Sequence, residues 1–280
     1  MADIGRYLAD KCSQGKAGFG YAVSRERRSS LNIRSTAKAS MPDPKTKMTS
    51  GAGARVPGSK SAMGAAEQII SMMPVHDTYL EGFGGTGAVA RRKRPAARNV
   101  IIEKDDKAAA VLSTTMGPGW EVIHGDAFDY ARSLLELPGT LAYFDPPYVI
   151  ETRRSSRAIY RHEFAEVDHR RLAAMVSDST VRARIMISGY AGSLYGELFA
   201  GWRRREFSVM TRGGPALESV WMNFPEPAEF HDTRFMGSGF TDRQRIKRKA
   251  ARWVKRLLSM PPGERAAVLE AIRGHLCRPE

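Results

Sequence analysis

Four short apolar runs, at residues 78–81, 100–103, 120–124 and 141–144, recur through the middle of the chain with helix-compatible segments between them. Runs of four or five residues are of strand length, and residues 88–94, 105–114 and 128–135 between them have helical spacing. Repeated strand–helix units predict an α/β fold, a mostly parallel sheet with helices on both faces. Such a sheet takes its ligand outside the carboxyl ends of its strands. A helix over 62–73 is expected to precede it, with Met63, Ala66, Ile69, Ile70 and Met73 on one face and Pro74 as its stop. A helix over 168–178, a strand over 183–188 and a helix over 193–198 follow. Residues 204–210 and 219–224, joined through Arg212-Gly213-Gly214-Pro215, read as a closing antiparallel hairpin.

Charge is distributed unevenly around this centre. Residues 1–56 hold 11 Lys/Arg against 4 Asp/Glu, residues 231–280 hold 12 against 5, and the stretch between them holds 21 of each. The whole +14 therefore sits in the two ends, which suits a polyanionic partner. The expected organisation is a basic arm over 1–56 without sustained apolar periodicity, a catalytic domain over 57–230, and a basic helical extension over 231–280. In that extension Ile246, Ala250, Trp253, Val254 and Leu257 make an apolar stripe, opposed by Arg243, Arg245, Lys247, Arg248, Lys249, Arg252, Lys255 and Arg256. Pro261 and Pro262 end that helix, and a second one carries Val268, Leu269, Ile272 and Leu276. Two cysteines near opposite ends suit a reducing compartment without a structural bridge. With no long apolar run, the expectation is a soluble, cytoplasmic protein.

The first strand runs into Glu81-Gly82-Phe83-Gly84-Gly85-Thr86-Gly87. Gly82, Gly84 and Gly87 satisfy G-x-G-x-x-G, and Glu103 lies about 20 residues on, at the end of the next strand, where a ribose-binding acid belongs. The pattern fits a nicotinamide cofactor, S-adenosylmethionine or a tight strand-to-helix turn, and does not choose among them.

Asp145-Pro146-Pro147-Tyr148 narrows the choice. Two prolines end a strand and leave its last carbonyls free as acceptors. The Asp145 carboxylate and the Pro146 carbonyl can together accept both hydrogens of an exocyclic amine and aim its nitrogen at an electrophile. Tyr148 offers a flat face for a base drawn out of its stack. A plain strand terminator is the bland alternative.

With these residues the chain resembles the Dam-like N6-adenine-specific DNA methyltransferases over roughly residues 56–226. The resemblance runs through Pro57-Gly58-Ser59-Lys60, His76-Asp77-Thr78-Tyr79-Leu80-Glu81, the glycine loop, Glu103, Gly125-Asp126, Asp145-Pro146-Pro147-Tyr148, Phe164, His169 and Glu218-Ser219-Val220-Trp221-Met222-Asn223. Gly82 departs from it, standing where the family usually has proline. The resemblance implies a Rossmann-like S-adenosylmethionine-dependent methyltransferase fold and a phage-type enzyme of a bacterial cell, with restriction evasion as one use.

It also implies roles. Glu81 with Phe83, Gly84, Gly85 and Gly87 would hold the methionine part of S-adenosylmethionine, Glu103 its ribose, and Asp126 with Ala127 its adenine. Lys60 would sit beside cofactor or target. Asp145, Pro146 and Tyr148 would act on a flipped adenine in double-stranded DNA. Arg153, Arg154, Arg157 and Arg161 follow the catalytic strand closely enough to clamp phosphates, and Arg245, Lys249 and Arg252 would extend that contact. The six histidines show no ligand spacing, so no metal is expected. His162 and His169 read as a loop residue and a helix-packing residue. Methylation of an RNA base, a catalytically silent nucleic-acid-binding protein and a nicotinamide dehydrogenase are the competing readings, and the last leaves Asp145-Pro146-Pro147-Tyr148 unexplained.

Overall fold

The computed structural model describes residues 64–147, 164–190, 192–211 and 214–276. Of these, the residues up to Arg248 form one compact unit and those from Lys249 onward belong to another. The larger unit begins with α1 (Ala65–Ile70), β1 (Thr78–Glu81), β2 (Arg98–Glu103), α2 (Asp106–Thr115) and β3 (Trp120–His124). It continues through α3 (Ala127–Tyr130), α4 (Arg132–Leu135), β4 (Thr140–Phe144), α5 (Glu166–Val176), β5 (Arg184–Tyr190), α6 (Ser193–Leu198), β6 (Arg203–Thr211) and β7 (Gly214–Met222).

The strands make one sheet in the order β3-β2-β1-β4-β5-β7-β6. The first five are parallel, β7 runs antiparallel to β5, and β6 pairs antiparallel with β7. This is the expected α/β architecture, a mostly parallel sheet closed by an antiparallel hairpin. Strand order reverses between β1 and β4, which places a crevice outside their carboxyl ends.

Side-chain alternation along the strands builds two cores. Leu80, Ile102, Ala142, Phe144, Ile187 and Trp221 pack on one face against α4, α5 and α6. Tyr79, Ile101, Tyr143, Met186, Val220 and Met222 pack on the other against α1 and Leu112 of α2.

Two helices depart from expectation. Residues 88–94 form turns rather than a helix: Arg91 N donates to Gly87 O at 2.8 Å and Lys93 N to Val89 O at 3.0 Å, and the chain then reaches Pro95. Four consecutive cations and a proline leave too little length to propagate a helix. The segment predicted at 128–135 divides at Ala131 into the one-turn helices α3 and α4.

The packed chain runs on past residue 230. Phe230 bridges to Pro74 and His231 N donates to Met73 O at 3.0 Å. The fully buried Asp232 carboxylate accepts from Arg94 N at 2.9 Å and from Arg234 Nη2 at 2.6 Å. His231 stacks on His76 with ring centroids 3.9 Å apart. α7 (Phe240–Leu258) then begins, followed by α8 (Pro262–Leu276). α7 buries no residue, and Trp253, Val254 and Leu258 of its apolar side are exposed. No helix among the described residues is long and apolar enough to cross a membrane.

Candidate active site at the carboxyl ends of β1 and β4

Period-two alternation puts Tyr79 and Glu81 of β1 on the same sheet face as Tyr143 of β4, Ser188 of β5 and Glu218 of β7. Asp145 follows Tyr143 by two residues, just beyond the end of β4, half-buried beside a buried Pro146. Its charge is felt by Tyr79, Glu81, Tyr143 and Tyr195.

Glu81 is buried and accepts the Tyr79 hydroxyl on Oε2 at 2.8 Å. Burial pushes its carboxyl up to about 8, against the opposing pull of that hydroxyl; Asp145 pushes it further, and the Ala90 amide and Lys93 oppose. The Tyr143 hydroxyl shares a hydrogen bond of 2.8 Å with Ser188 Oγ. Burial holds that phenol well above its ordinary value, with the Asp145 and Glu218 charges adding to it.

The glycine loop is pinned between strands. Gly82 N donates to Tyr143 O at 2.9 Å and Gly84 N to Ile102 O at 3.0 Å. A Cβ at Gly84 would fall 2.5 Å from Ile101 Cγ2, so only glycine lets the loop lie this close to β2. Gly85 and Gly87 adopt φ of +50° and +66°. The ring of Phe83 meets those of Phe144 and Phe164 edge-on, and Phe164 stacks on Phe128. His169 is buried and packs against Phe164, with Nδ1 2.9 Å from the Tyr195 hydroxyl.

The two remaining acids lie at neighbouring strand ends. Glu103 spans the loop and the next helix, accepting from Gly85 N at 2.6 Å and Asp105 N at 2.7 Å. Asp126 caps α3 through Phe128 N at 3.0 Å and pairs with Lys104 Nζ at 2.8 Å, beside a buried Ala127. Glu81, Phe83, Gly84, Gly85, Gly87, Glu103, Asp126, Ala127, Asp145 and Pro146 thus surround the ends of four neighbouring parallel strands. Arg245, Lys249 and Arg252 are exposed on α7, where Arg245 also pairs with Asp242 at 2.7 Å. Lys60, Tyr148, Arg153, Arg154, Arg157, Arg161 and His162 lie outside the described residues. Among the described residues no cluster of three metal-ligating side chains occurs.

No site role falls to Tyr79, Lys93, Tyr143, Ser188 or Glu218 on sequence grounds, although Tyr79 and Glu218 lie inside stretches that carry the resemblance. Counting back two residues from Glu81 and from Asp145 finds Tyr79 and Tyr143; Lys93 reaches the same face only through the turns that replace a helix.

Neither a protein-family model nor a curated protein matches the chain. Solved structures similar to it include precorrin 8w decarboxylase of Methanobacterium thermoautotrophicum, at 14% identity over 61% of this chain and 94% of that one, with a TM-score of 0.40. An S-adenosylmethionine-dependent methyltransferase of Agrobacterium tumefaciens matches at 13% identity over 57% and 60%, with a TM-score of 0.37. Precorrin-6y C5,15-methyltransferase of Geobacter metallireducens matches at 10% identity over 56% and 85%, with a TM-score of 0.36.

Proposed function

We propose that the chain is an S-adenosylmethionine-dependent methyltransferase acting on adenine N6 in DNA. The observation that carries this reading is the placement of Asp145 and Pro146 at the end of β4, beside the glycine loop that follows β1 and on the face that holds Glu81. The residues fit the cofactor. A buried acid whose carboxyl is pushed up to about 8 by burial suits the cationic methionine end of the molecule. Gly84 packs the loop against Ile101 and Leu112, and a Cβ at Gly85 would meet nothing within 4 Å, so the loop backbone is open there to a close approach. When bound, S-adenosylmethionine supplies an electrophilic sulfonium methyl group.

The work of the protein is positioning and charge placement. The Asp145 carboxylate and the Pro146 carbonyl accept the two N–H groups of the adenine amine and direct its lone pair. Asp145 also stabilises the positive charge that develops on that nitrogen. Glu103, Asp126 and the Ala127 amide serve the ribose and adenine of the cofactor, with Glu103 sharing hydrogen bonds it already makes to the loop. Tyr148 stacks on the flipped base, Lys60 stands at the cofactor–target boundary, and Arg153, Arg154, Arg157 and Arg161 hold phosphates. Arg245, Lys249 and Arg252 add affinity that is blind to sequence. On this reading residues 57–230 are the catalytic domain, and the basic stretches 1–56 and 231–280 are arms for the duplex.

Specificity is relaxed. The interval from Glu103 to Asp126 is filled by α2 and β3, and that from Asp126 to Asp145 by α3, α4 and β4. Neither holds an inserted recognition domain, and reading each base takes its own directed side-chain contact. Incubation of duplex DNA and structured RNA with labelled S-adenosylmethionine, followed by nucleoside analysis and site mapping, tests the proposal. N6-methyladenine in DNA within a context of one or two flanking bases is expected. Label in RNA alone would overturn the substrate, and a strict site of four or more bases would overturn the relaxed specificity.

A further inference from the structure

Two buried groups behind Glu81 have no part in the chemistry above. Tyr79, fully buried, donates its hydroxyl to Glu81 Oε2 at 2.8 Å. Lys93, only 3% exposed, lies with Nζ 4.1 Å from the centroid of the Tyr79 ring and donates to Arg94 O at 2.8 Å. Trp120 stands edge-on to the same ring at 6.1 Å. An ammonium and a carboxyl are therefore set on either side of one phenol, away from water, where each charged form is costly.

The groups facing them are few. Glu81 faces Tyr79 on its own strand, Asp145 beyond β4, and Lys93 and the Ala90 amide from the turns after the glycine loop; Tyr143 of β4 feels its charge. Lys93 faces Glu81 and Asp232, and its charge reaches His76 and His231. Burial holds the Lys93 ammonium down at about 7, as it holds the Glu81 carboxyl up.

We propose that Tyr79 and Lys93 are positioning residues that set when Glu81 becomes a carboxylate, so that a cation entering beside Glu81 is taken up with release of one proton. The proposal rests on the reading of Glu81 as the acid that meets the cationic end of S-adenosylmethionine. In the step, the Glu81 O–H bond breaks, its proton passes to solvent, and the carboxylate remains as counter-ion to the arriving charge. The Tyr79 hydroxyl and the Lys93 charge favour the carboxylate, and the Asp145 charge opposes it. Removing the first two must therefore act in the opposite direction to removing the third.

Calorimetric titration of the full chain with S-adenosylmethionine, in buffers of different ionisation enthalpy between about pH 6 and about pH 9, reads the protons released. The ligand's own amine contributes equally to every protein compared. Near pH 7 the wild type is expected to release more protons than Glu81→Gln, by a fraction of one because Lys93 titrates with Glu81. Tyr79→Phe and Lys93→Met should move the midpoint of release to higher pH, and Asp145→Asn to lower pH. Lys93→Gln replaces Lys93→Met if the latter does not fold. Unchanged midpoints, or shifts of one sign in all three variants, would overturn the proposal, as would a wild type that binds without the extra proton. A wild type that does not bind S-adenosylmethionine would instead remove the cofactor reading, and this proposal with it.

Discussion

Gly82 lies directly against the Phe144 ring: a Cβ at Gly82 would fall 2.4 Å from two carbons of the ring edge, and Gly82 N donates to the carbonyl of Tyr143, the residue before that phenylalanine. The residue that opens the glycine loop is thereby fitted to the residue that precedes Asp145. Proline at position 82 would both strike Phe144 and lose the donor to Tyr143.

Gly82→Ala should therefore cost about 1–3 kcal/mol, as overpacking does, and Gly82→Pro more. Urea unfolding measures both. Phe144→Leu should recover part of the loss in a double-mutant cycle, and strict additivity would show that the two sites are not coupled.

Asp145→Ala should abolish methyl transfer while leaving the fold and DNA binding largely intact, because the side chain is half-buried at the strand end rather than in either core. Methyl incorporation and binding, measured on the same preparation, check this. Retention of more than a few per cent of activity would count against its role.

His76 is held neutral. Burial, with the Lys93 charge next, lowers its imidazole to about 3, while Nδ1 stays 2.8 Å from Pro74 O. The unfolded state then binds the proton first, so stability is whole above about pH 6.5 and falls as pH drops toward 3. The slope for one proton is about 1.4 kcal/mol per pH unit. His76→Phe, which keeps a ring against His231, should flatten that decline in chemical unfolding followed from pH 7 to pH 4. An unchanged slope would assign the acid sensitivity elsewhere.

Asp232 ties the segment before α7 to the turns at Arg92 and Arg94. Asp232→Ala should destabilise by about 1–2 kcal/mol, since it removes the acceptor that Arg94 N and the half-exposed Arg234 guanidinium share. Deletion of residues 237–280 spares this tie and deletion of 231–280 does not, so only the shorter truncation should unfold like the wild type. With the shorter one, DNA affinity should fall and its logarithmic salt slope flatten by about 0.9 for each phosphate that α7 no longer neutralises. An unchanged slope would mean that α7 serves another purpose.

The sequence by itself determined where strands, turns and their chemistry fall. Short apolar runs marked the strands of the parallel part of the sheet, glycines marked the loop after β1, and two prolines marked the end of β4, because each signal is a local property of a few adjacent residues. Residues 88–94 stop short of a helix because four cations lead into Pro95, a signal the sequence carries but that the apolar Val89 and Ala90, buried like helix residues, outweigh in a reading by spacing. Tertiary structure alone decided that Lys93 lies over Tyr79, that His231 stacks on His76 and that Asp232 holds Arg94. These partners are distant in sequence, or meet through an irregular turn, and no periodicity encodes their meeting. Packing of the chain onto one sheet face brings them together, and the same burial holds Glu81, Lys93 and His76 away from their ordinary charge states.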